Sequence, residues 1–385
     1  MLISIYSVFI SLIIFNLWVA ALIYFERNNE FIKFFGIKFL FALSLVCIFR
    51  MVFAIELPFT QVIRSDRILP PIMNALNYKF LNILGVGISL LRVGIIILCV
   101  VLLYGLFDFA RQMYYYKKFI DAFQKEQWEI PDEIRMVYDR VVKELNFKHP
   151  PLLVCNDMSN IPFATGFIKP MIFIPPLLSF SEEDLENIFK HELTHLKNKD
   201  ICVKLMCSIF CSLMWWNPLV HILKQDISQI LEIKCDLTVC DDLSLNQRVS
   251  YLRAIIDLIG TMPRKVKAVY YTSAMTKENE RCLIQRFKLV LEEDAYHSSK
   301  KVKFLSFAAL ILTVILSYSF VFQPYYQTSP DTVNTSREVY FTNENTRVVF
   351  DEGVYKVYLN DEYVFDADED MLESFKMAEI SVEGQ

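Results

Sequence analysis

Charge is what this sequence has least of. Asp, Glu, Lys and Arg make up 22% of its 385 residues, against 54% hydrophobic, and the mean hydropathy is +0.33. That balance excludes an ordinary soluble protein and points to a membrane. Residues 1–25 carry no charged side chain, and a hydrocarbon core about 30 Å thick needs roughly 20 apolar helical residues. This stretch lacks a signal peptide's basic leader and small-residue cleavage site: the apolar run begins at Leu2 and ends at Tyr24-Phe25, so it is expected to be retained. No basic face, repeat or low-complexity run is present, which gives no sign of direct nucleic-acid binding. The nine cysteines form no disulfide framework. Cys47 and Cys99 lie in apolar runs and the other seven fall between Cys155 and Cys282, the pattern of a reducing compartment.

Three further apolar runs are present: residues 38–56, interrupted by Arg50; residues 80–107, where Arg92 is the only charge; and residues 304–322, "FLSFAALILTVILSYSFVF". Arg50 and Arg92 are expected to face protein or to snorkel, since lipid-facing charge at mid-depth is costly. Arg111, Lys117, Lys118 and Lys125 follow the third run, and Lys300, Lys301 and Lys303 precede the fourth, whereas no basic residue appears between Phe322 and Arg337. The positive-inside rule then makes the intervening polar region cytoplasmic and both termini extracytoplasmic. The expected organisation is three transmembrane helices with short loops in 1–109, a cytoplasmic domain in 110–303, a fourth transmembrane helix in 304–323, and a small acidic extracytoplasmic domain in 324–385.

Inside the polar region lies "NIFKHELTHLKNKD", residues 187–200. Ser181 and Asp184 form a capping-box pattern, Glu182, Glu183 and Asp184 give an acidic first turn, and Leu185, Ile188, Phe189 and Leu193 recur at helical spacing. His191 and His195 therefore share one helical face, where both imidazoles can reach one zinc ion, with Glu192 placed to act as general base. A catalytic zinc wants a third protein ligand. "SQILEIKCDLTVCDD" offers Glu232 as that ligand and Asp236, one turn on, to accept a ring N–H from a ligand histidine. Cys235 and His221 are rival ligands. Cys202, Cys207 and Cys211 read as packing rather than as a metal site.

"FKHELTHLKNKD", "WWNPLV" and "LEIKCDLTV", in that order and in a membrane setting, resemble the BlaR/MecR-type bacterial membrane metallopeptidases. The upstream "IPFATGFIKPMIFIP" is similar to the segment before the zinc helix in that family and in the HtpX and prenyl-protein-processing proteases. The resemblance covers about residues 1–323. It implies Zn2+ held by His191, His195 and Glu232, Glu192 as catalytic base, and a supporting role for Asp236. It also implies a bacterial cytoplasmic membrane location and a purpose: an outside event triggers proteolysis of the protein itself or of a cytoplasmic regulator such as a repressor. The β-lactam receptors of that family carry a penicillin-binding sensor with a Ser-x-x-Lys nucleophile after the last span. Here 62 residues follow Gln323 without that motif, so sensing by that acylation chemistry is not expected. The fold expected is mainly α, with four transmembrane helices, an inserted α+β zincin-like domain and a small β-rich C-terminal domain.

Residues 205–223, "LMCSIFCSLMWWNPLVHIL", are long enough to cross a bilayer. A single crossing would put His191 and Glu232 on opposite faces, so the segment is expected to be membrane-embedded or re-entrant, broken at Asn217-Pro218, with Trp215-Trp216 at interfacial depth. "FATGFI" and "MIFIPP" read as a hairpin around Lys169-Pro170. Its open edge, Phe163, Ala164, Thr165 and Gly166, is a candidate for binding an extended peptide. "PDEIRMVYDRVVKEL" reads as a scaffold helix with Ile134, Val137, Val141 and Leu145 on one face. From Pro324 onward fourteen acidic residues stand against four basic, yet "REVYFT", "TRVVF", "VYKVYL" and "EYVFD" alternate like strands of a β-meander. Its ligand, like the oligomeric state, is not legible. Two other classes compete: a signalling receptor with a structural zinc, and a channel or transporter for which Arg50 and Arg92 would be the clue.

Overall fold

The computed structural model describes residues 4–65, 67–83, 86–125, 128–156, 161–175, 181–260, 280–292, 300–324, 346–351, 354–359 and 362–367, with Phe375, Ile380, Val382 and Glu383. The chain divides into two compact units, Met1–Pro324 and Tyr325–Gln385.

The first unit is mainly helical. It opens with α1 (Ile5–Glu26), α2 (Asn29–Phe35) and α3 (Ile37–Val52). Gly36 at φ +83° makes the corner between α2 and α3, which are bent by 94°. Then follow β1 (Gln61–Ser65), α4 (Leu69–Asn77), the hairpin β2 (Lys79–Ile83) and β3 (Val86–Ser89), and the 36-residue α5 (Leu90–Lys125). α1 and α5 are long and apolar enough to cross a membrane, and α2 with α3 passes the same test as a bent pair. The apolar run 80–107 is thus not one helix: its first residues pair as strands, and Arg92, in the first turn of α5, donates back to the Gly87 carbonyl (2.5 Å). Arg50 is buried in α3, where Nη2 donates to the Ser317 carbonyl (3.1 Å), Nη1 to Ser11 Oγ, and the guanidinium lies 4.1 Å from the Tyr318 ring centroid. Oxygens and a ring satisfy it, with no carboxylate needed.

The polar region contains α6 (Asp132–Glu144), β4 (Leu152–Cys155), β5 (Phe163–Thr165), β6 (Met171–Ile174), α7 (Glu182–Lys197), α8 (Asp200–Leu213), α9 (Pro218–Val239), α10 (Leu245–Gly260) and α11 (Glu280–Leu291). The sheet order is β4-β6-β5, with β4 parallel and β5 antiparallel to β6. Every residue of β6 is buried because the strand is covered on both faces. Ile172 and Ile174 pack with α6 and α7, while Met171 and Phe173 pack with Tyr116, Ile120 and Phe123 from the far end of α5. The same long helix that carries the apolar run therefore seats the sheet.

Helix α8 ends at Leu213, and Asn217 caps α9, accepting from the Leu219 N–H (3.1 Å), with Pro218 in the first turn. The two helices form a hairpin. Its tip touches the middle of α1, where Asn217 Nδ2 donates to Asn16 Oδ1 (2.9 Å), and the apolar half of α5, where Trp215 Nε1 donates to the Val101 carbonyl (3.1 Å). The unit closes with α12 (Lys300–Tyr318), apolar from Phe304, and β7 (Phe320–Pro324), which pairs in parallel with β1.

The second unit holds β8 (Thr346–Asp351), β9 (Val354–Leu359), β10 (Glu362–Ala367) and β11 (Val382–Glu383) in the order β10-β9-β8-β11, around Val348, Val357, Phe375 and Ile380. The strand expected at 337–342 lies outside the described residues.

Gly105 fixes how closely α8 approaches α5: a Cβ there would fall 1.8 Å from the Ser212 carbonyl oxygen, whereas one at Gly94 on the same helix meets nothing within 4 Å. Overpacking of this kind costs about 1–3 kcal/mol. Gly105→Ala is expected to lower the thermal unfolding midpoint of the detergent-solubilised protein by several degrees, and Gly94→Ala to leave it unchanged or slightly raised, since alanine is the better helix former.

Candidate metal centre

The capping box is formed: Ser181 Oγ accepts from the Asp184 N–H and Asp184 Oδ2 from the Ser181 N–H, both at 3.2 Å. α7 is buried on nearly every side, by β5, α6, α8, α9 and α10, so His191, Glu192 and His195 are all removed from solvent. The helix stops at Asn198, and Lys199 adopts a left-handed conformation (φ +58°) that turns the chain straight into α8. This tight turn returns Asp200, the first residue of α8, to His195.

Each histidine is held through Nδ1. His195 Nδ1 lies 2.9 Å from Asp200 Oδ2. His191 Nδ1 lies 2.8 Å from the Tyr251 hydroxyl, which donates to Asp236 Oδ1 (2.7 Å). An Nδ1–H on each ring satisfies both contacts and leaves each Nε2 with a bare lone pair. Those two Nε2 atoms face each other at 3.2 Å, and Glu232 Oε2 is 3.5 Å from both. Oε2 is buried and makes no hydrogen bond among the described residues. Three electron-rich atoms thus form a triangle with sides of 3.2, 3.5 and 3.5 Å. Tetrahedral nitrogen and oxygen ligands at about 2.0–2.1 Å from one zinc sit roughly 3.3–3.4 Å apart, so this donor set fits such an ion.

The surrounding charges also favour a cation. Burial opposes charge on His191, yet Cys235, Tyr251 and Asp236 outweigh it and raise its pKa well above the ordinary histidine value. His195 is raised likewise, against burial, by Cys235, Glu232 and Asp200. Burial works to raise the Glu232 carboxyl, but His195, Lys204 and His191 hold it well below its usual range. Asp236, buried as well, is held down to about 2 by Arg286 and His191. A counter-cation backs each carboxylate: Lys234 Nζ donates to Asp200 Oδ1 (2.9 Å), Lys204 Nζ to Glu232 Oε1 (3.3 Å), and Arg286 Nε to Asp236 Oδ2 (2.7 Å).

The profile described as BlaR1 peptidase M56 matches residues 3–290. The chain belongs to the BlaR1 peptidase M56 family. Among characterised relatives it is 27% identical over 133 residues to the regulatory protein BlaR1 of Bacillus licheniformis, covering 34% of this chain and 22% of that one. It is 32% identical over 104 residues to the regulatory protein BlaR1 of Staphylococcus aureus (26% and 18%). It is 26% identical over 111 residues to the methicillin resistance mecR1 protein of Staphylococcus aureus strain Mu50 (28% and 19%). These matches span about a fifth of each relative's length.

The M56 chain brings His191, His195, Glu232 and Asp236 together, with Glu192 on the same helix as the histidines. Cys235 is also near: one donor atom each from His191, His195 and Cys235 lies within 4.8 Å of the others. Its sulfur sits 3.7 Å from His191 Nδ1 and 3.4 Å from the His191 carbonyl, so that Cys235 stays a rival ligand to Glu232. His221 is excluded: it lies eleven residues before Glu232 on α9, about 16 Å along the axis, and contacts the Trp215 carbonyl. β5 is an edge strand, but its edge is not bare. The Ala164 N–H donates to Glu192 Oε2 (2.7 Å), the Gly166 N–H to the Tyr116 hydroxyl (3.2 Å), and Phe163, Ala164 and Thr165 are buried. Asp200, Tyr251, Lys204, Lys234 and Arg286 were not singled out from sequence. Asp200, five residues after His195, and Lys234, between Glu232 and Asp236, lie within the quoted stretches.

A carboxylate that fixes a ligand histidine's tautomer typically contributes 10–100-fold to metal affinity. Asp200→Asn is therefore expected to weaken metal binding by about that factor, measured with zinc as the probe by competition with a chromophoric chelator, without loss of helical circular dichroism.

Proposed function

We propose that this protein is an integral membrane zinc endopeptidase in which His191, His195 and Glu232 hold the ion and Glu192 is the general base. The observation that carries the reading is the convergence of three donor atoms at 3.2–3.5 Å in a buried cluster, with Glu192 the residue after His191 on α7. A zinc ion bound there supplies an acidified water and polarises a scissile carbonyl. Glu192 would serve as the general base toward that water, its carboxylate holding the proton and giving it up to the leaving amine. Its carboxylate is oriented by the Ala164 N–H, so the catalytic base and the edge strand are one hydrogen bond apart. An extended substrate laid along Phe163, Ala164, Thr165 and Gly166 would meet both at once, once Tyr116 and Glu192 yield the strand's N–H groups.

The helices support a four-span arrangement in the bilayer. α1, α3 with its bent partner, α5 and α12 are the four spans, and the α8–α9 hairpin enters the membrane without crossing. α9 runs beside α1 toward its charged end, where Gln285 donates to the Glu26 carbonyl and receives from Gln229 of α9. Glu232 lies 15 residues, about 22 Å, from the hairpin tip. The metal centre then sits just beyond the charged end of α1, on the side carrying Lys117, Lys118 and Lys125 and hence cytoplasmic. Both termini, with the acidic segment 324–385, are extracytoplasmic. The relatives' names, regulatory and resistance proteins, support a role in signalling, with an outside event leading to cleavage of this protein or of a cytoplasmic repressor.

The second reading, a non-catalytic receptor with a structural zinc, draws on Cys235, since a fourth protein ligand would close the site. One variant separates them. Glu192→Gln is expected to keep zinc and lose at least about 100-fold of self-cleavage and of cleavage of an unfolded reporter, the scale of general-base catalysis. Zinc-loaded wild type that cleaves no faster than Glu192→Gln in native membranes would favour the receptor.

A further inference from the structure

Arg286 is the largest fully buried side chain among the described residues, and it comes from α11, the helix nearest in sequence before α12. A guanidinium without solvent needs full compensation. It finds this at Asp236, where Nε donates to Oδ2 (2.7 Å) and Nη2 to Oδ1 (3.0 Å), a two-point grip that a point charge cannot make. Its Nη2 also stands 3.7 Å from Glu232 Oε2. One side chain thus touches the carboxylate behind His191 and lies beside the carboxylate oxygen that faces both Nε2 atoms. The grip orients Asp236 so that Oδ1 accepts from Tyr251, whose oxygen meets His191 Nδ1. Rotating Asp236 would break that relay and free His191 to turn.

Arg286 is itself held in place. Its neighbour Gln285 donates to the Glu26 carbonyl (2.7 Å) and to Asn29 Oδ1 (2.9 Å), at the corner between α1 and α2, and accepts from Gln229 of α9 (2.8 Å). The helix that supplies the guanidinium is clamped on two sides within one residue of it.

We propose that Arg286 is a positioning residue of the metal centre: through Asp236 and Tyr251 it fixes the His191 ring, and beside Glu232 it balances a ligand carboxylate, so that the centre is complete only with α11 docked. This rests on the metallopeptidase reading above. The alternative is a salt bridge that merely fastens α11 to α9.

The test uses the full-length protein in detergent, with zinc affinity from chelator competition and the cobalt(II) visible spectrum as readouts. Arg286→Gln is expected to remain folded, lose about 10–100-fold in zinc affinity and shift the cobalt bands, with Arg286→Lys recovering part of the loss. Asp236→Asn/Arg286→Gln, which removes both charges together, is expected to lose no more than the worse single variant, because the two act as a unit. If Arg286→Gln does not fold, the double variant carries the test. A folded single or double variant with wild-type affinity and an unchanged cobalt spectrum overturns the proposal. Wild type that takes up neither metal overturns the reading of the site and this proposal with it, an outcome distinct from the first.

Discussion

Two imidazole nitrogens and a carboxylate oxygen, each turned toward the others with its lone pair and each shielded from water, repel one another. The rest of the polar region can be read as the machinery that forces this arrangement. Asp200 and the Tyr251–Asp236 pair accept from Nδ1, so that the neutral form of each ring has its lone pair on Nε2. The raised histidine pKa values and the depressed Glu232 express the same fact from the proton's side: the pocket is built for positive charge at that point. A divalent ion meets the demand with one particle, and the triangle's dimensions suit zinc.

The fold delivers these donors by two reversals. The left-handed Lys199 swings Asp200 back onto His195 within five residues. The hairpin of α8 and α9, capped at Asn217 and braced against Asn16 and Val101, sends the chain away and returns it with Glu232 and Asp236 on one face of α9. Close packing at Gly105 holds α8 on α5, and α5 in turn seats the sheet whose edge strand donates to Glu192. The contacts that fasten the hairpin among apolar helices and those that aim Glu192 therefore share α5.

Much of this was legible in the sequence where a pattern is local. The helix around His191 and His195 announced itself by its cap and periodicity, and Glu232 and Asp236 by a spacing of four on a second helix. The break at Asn217-Pro218 followed from proline's missing donor. What sequence could not show depended on distant partners or on competing local preferences. Arg286 lies 95 residues beyond His191 and Tyr251 sits in an ordinary amphipathic helix, so neither carries a local mark of its role. The run 80–107 read as one span because apolar strands and helices look alike over a few residues, and the β2–β3 pairing takes its first part. The edge at Ala164 read as open because the carboxylate occupying it belongs to a helix formed nearly thirty residues later.

X-ray absorption at the zinc edge of the purified, full-length protein reads the ligand set most directly. Ligation by His191, His195 and Glu232 gives a first shell of nitrogen and oxygen only, at about 2.0–2.1 Å, with the outer-shell scattering of two imidazoles. A sulfur shell at about 2.3 Å would contradict it, because Cys235 would then be a ligand. The site would be closed by protein, and Glu232 would lose its place as the donor that leaves room for water.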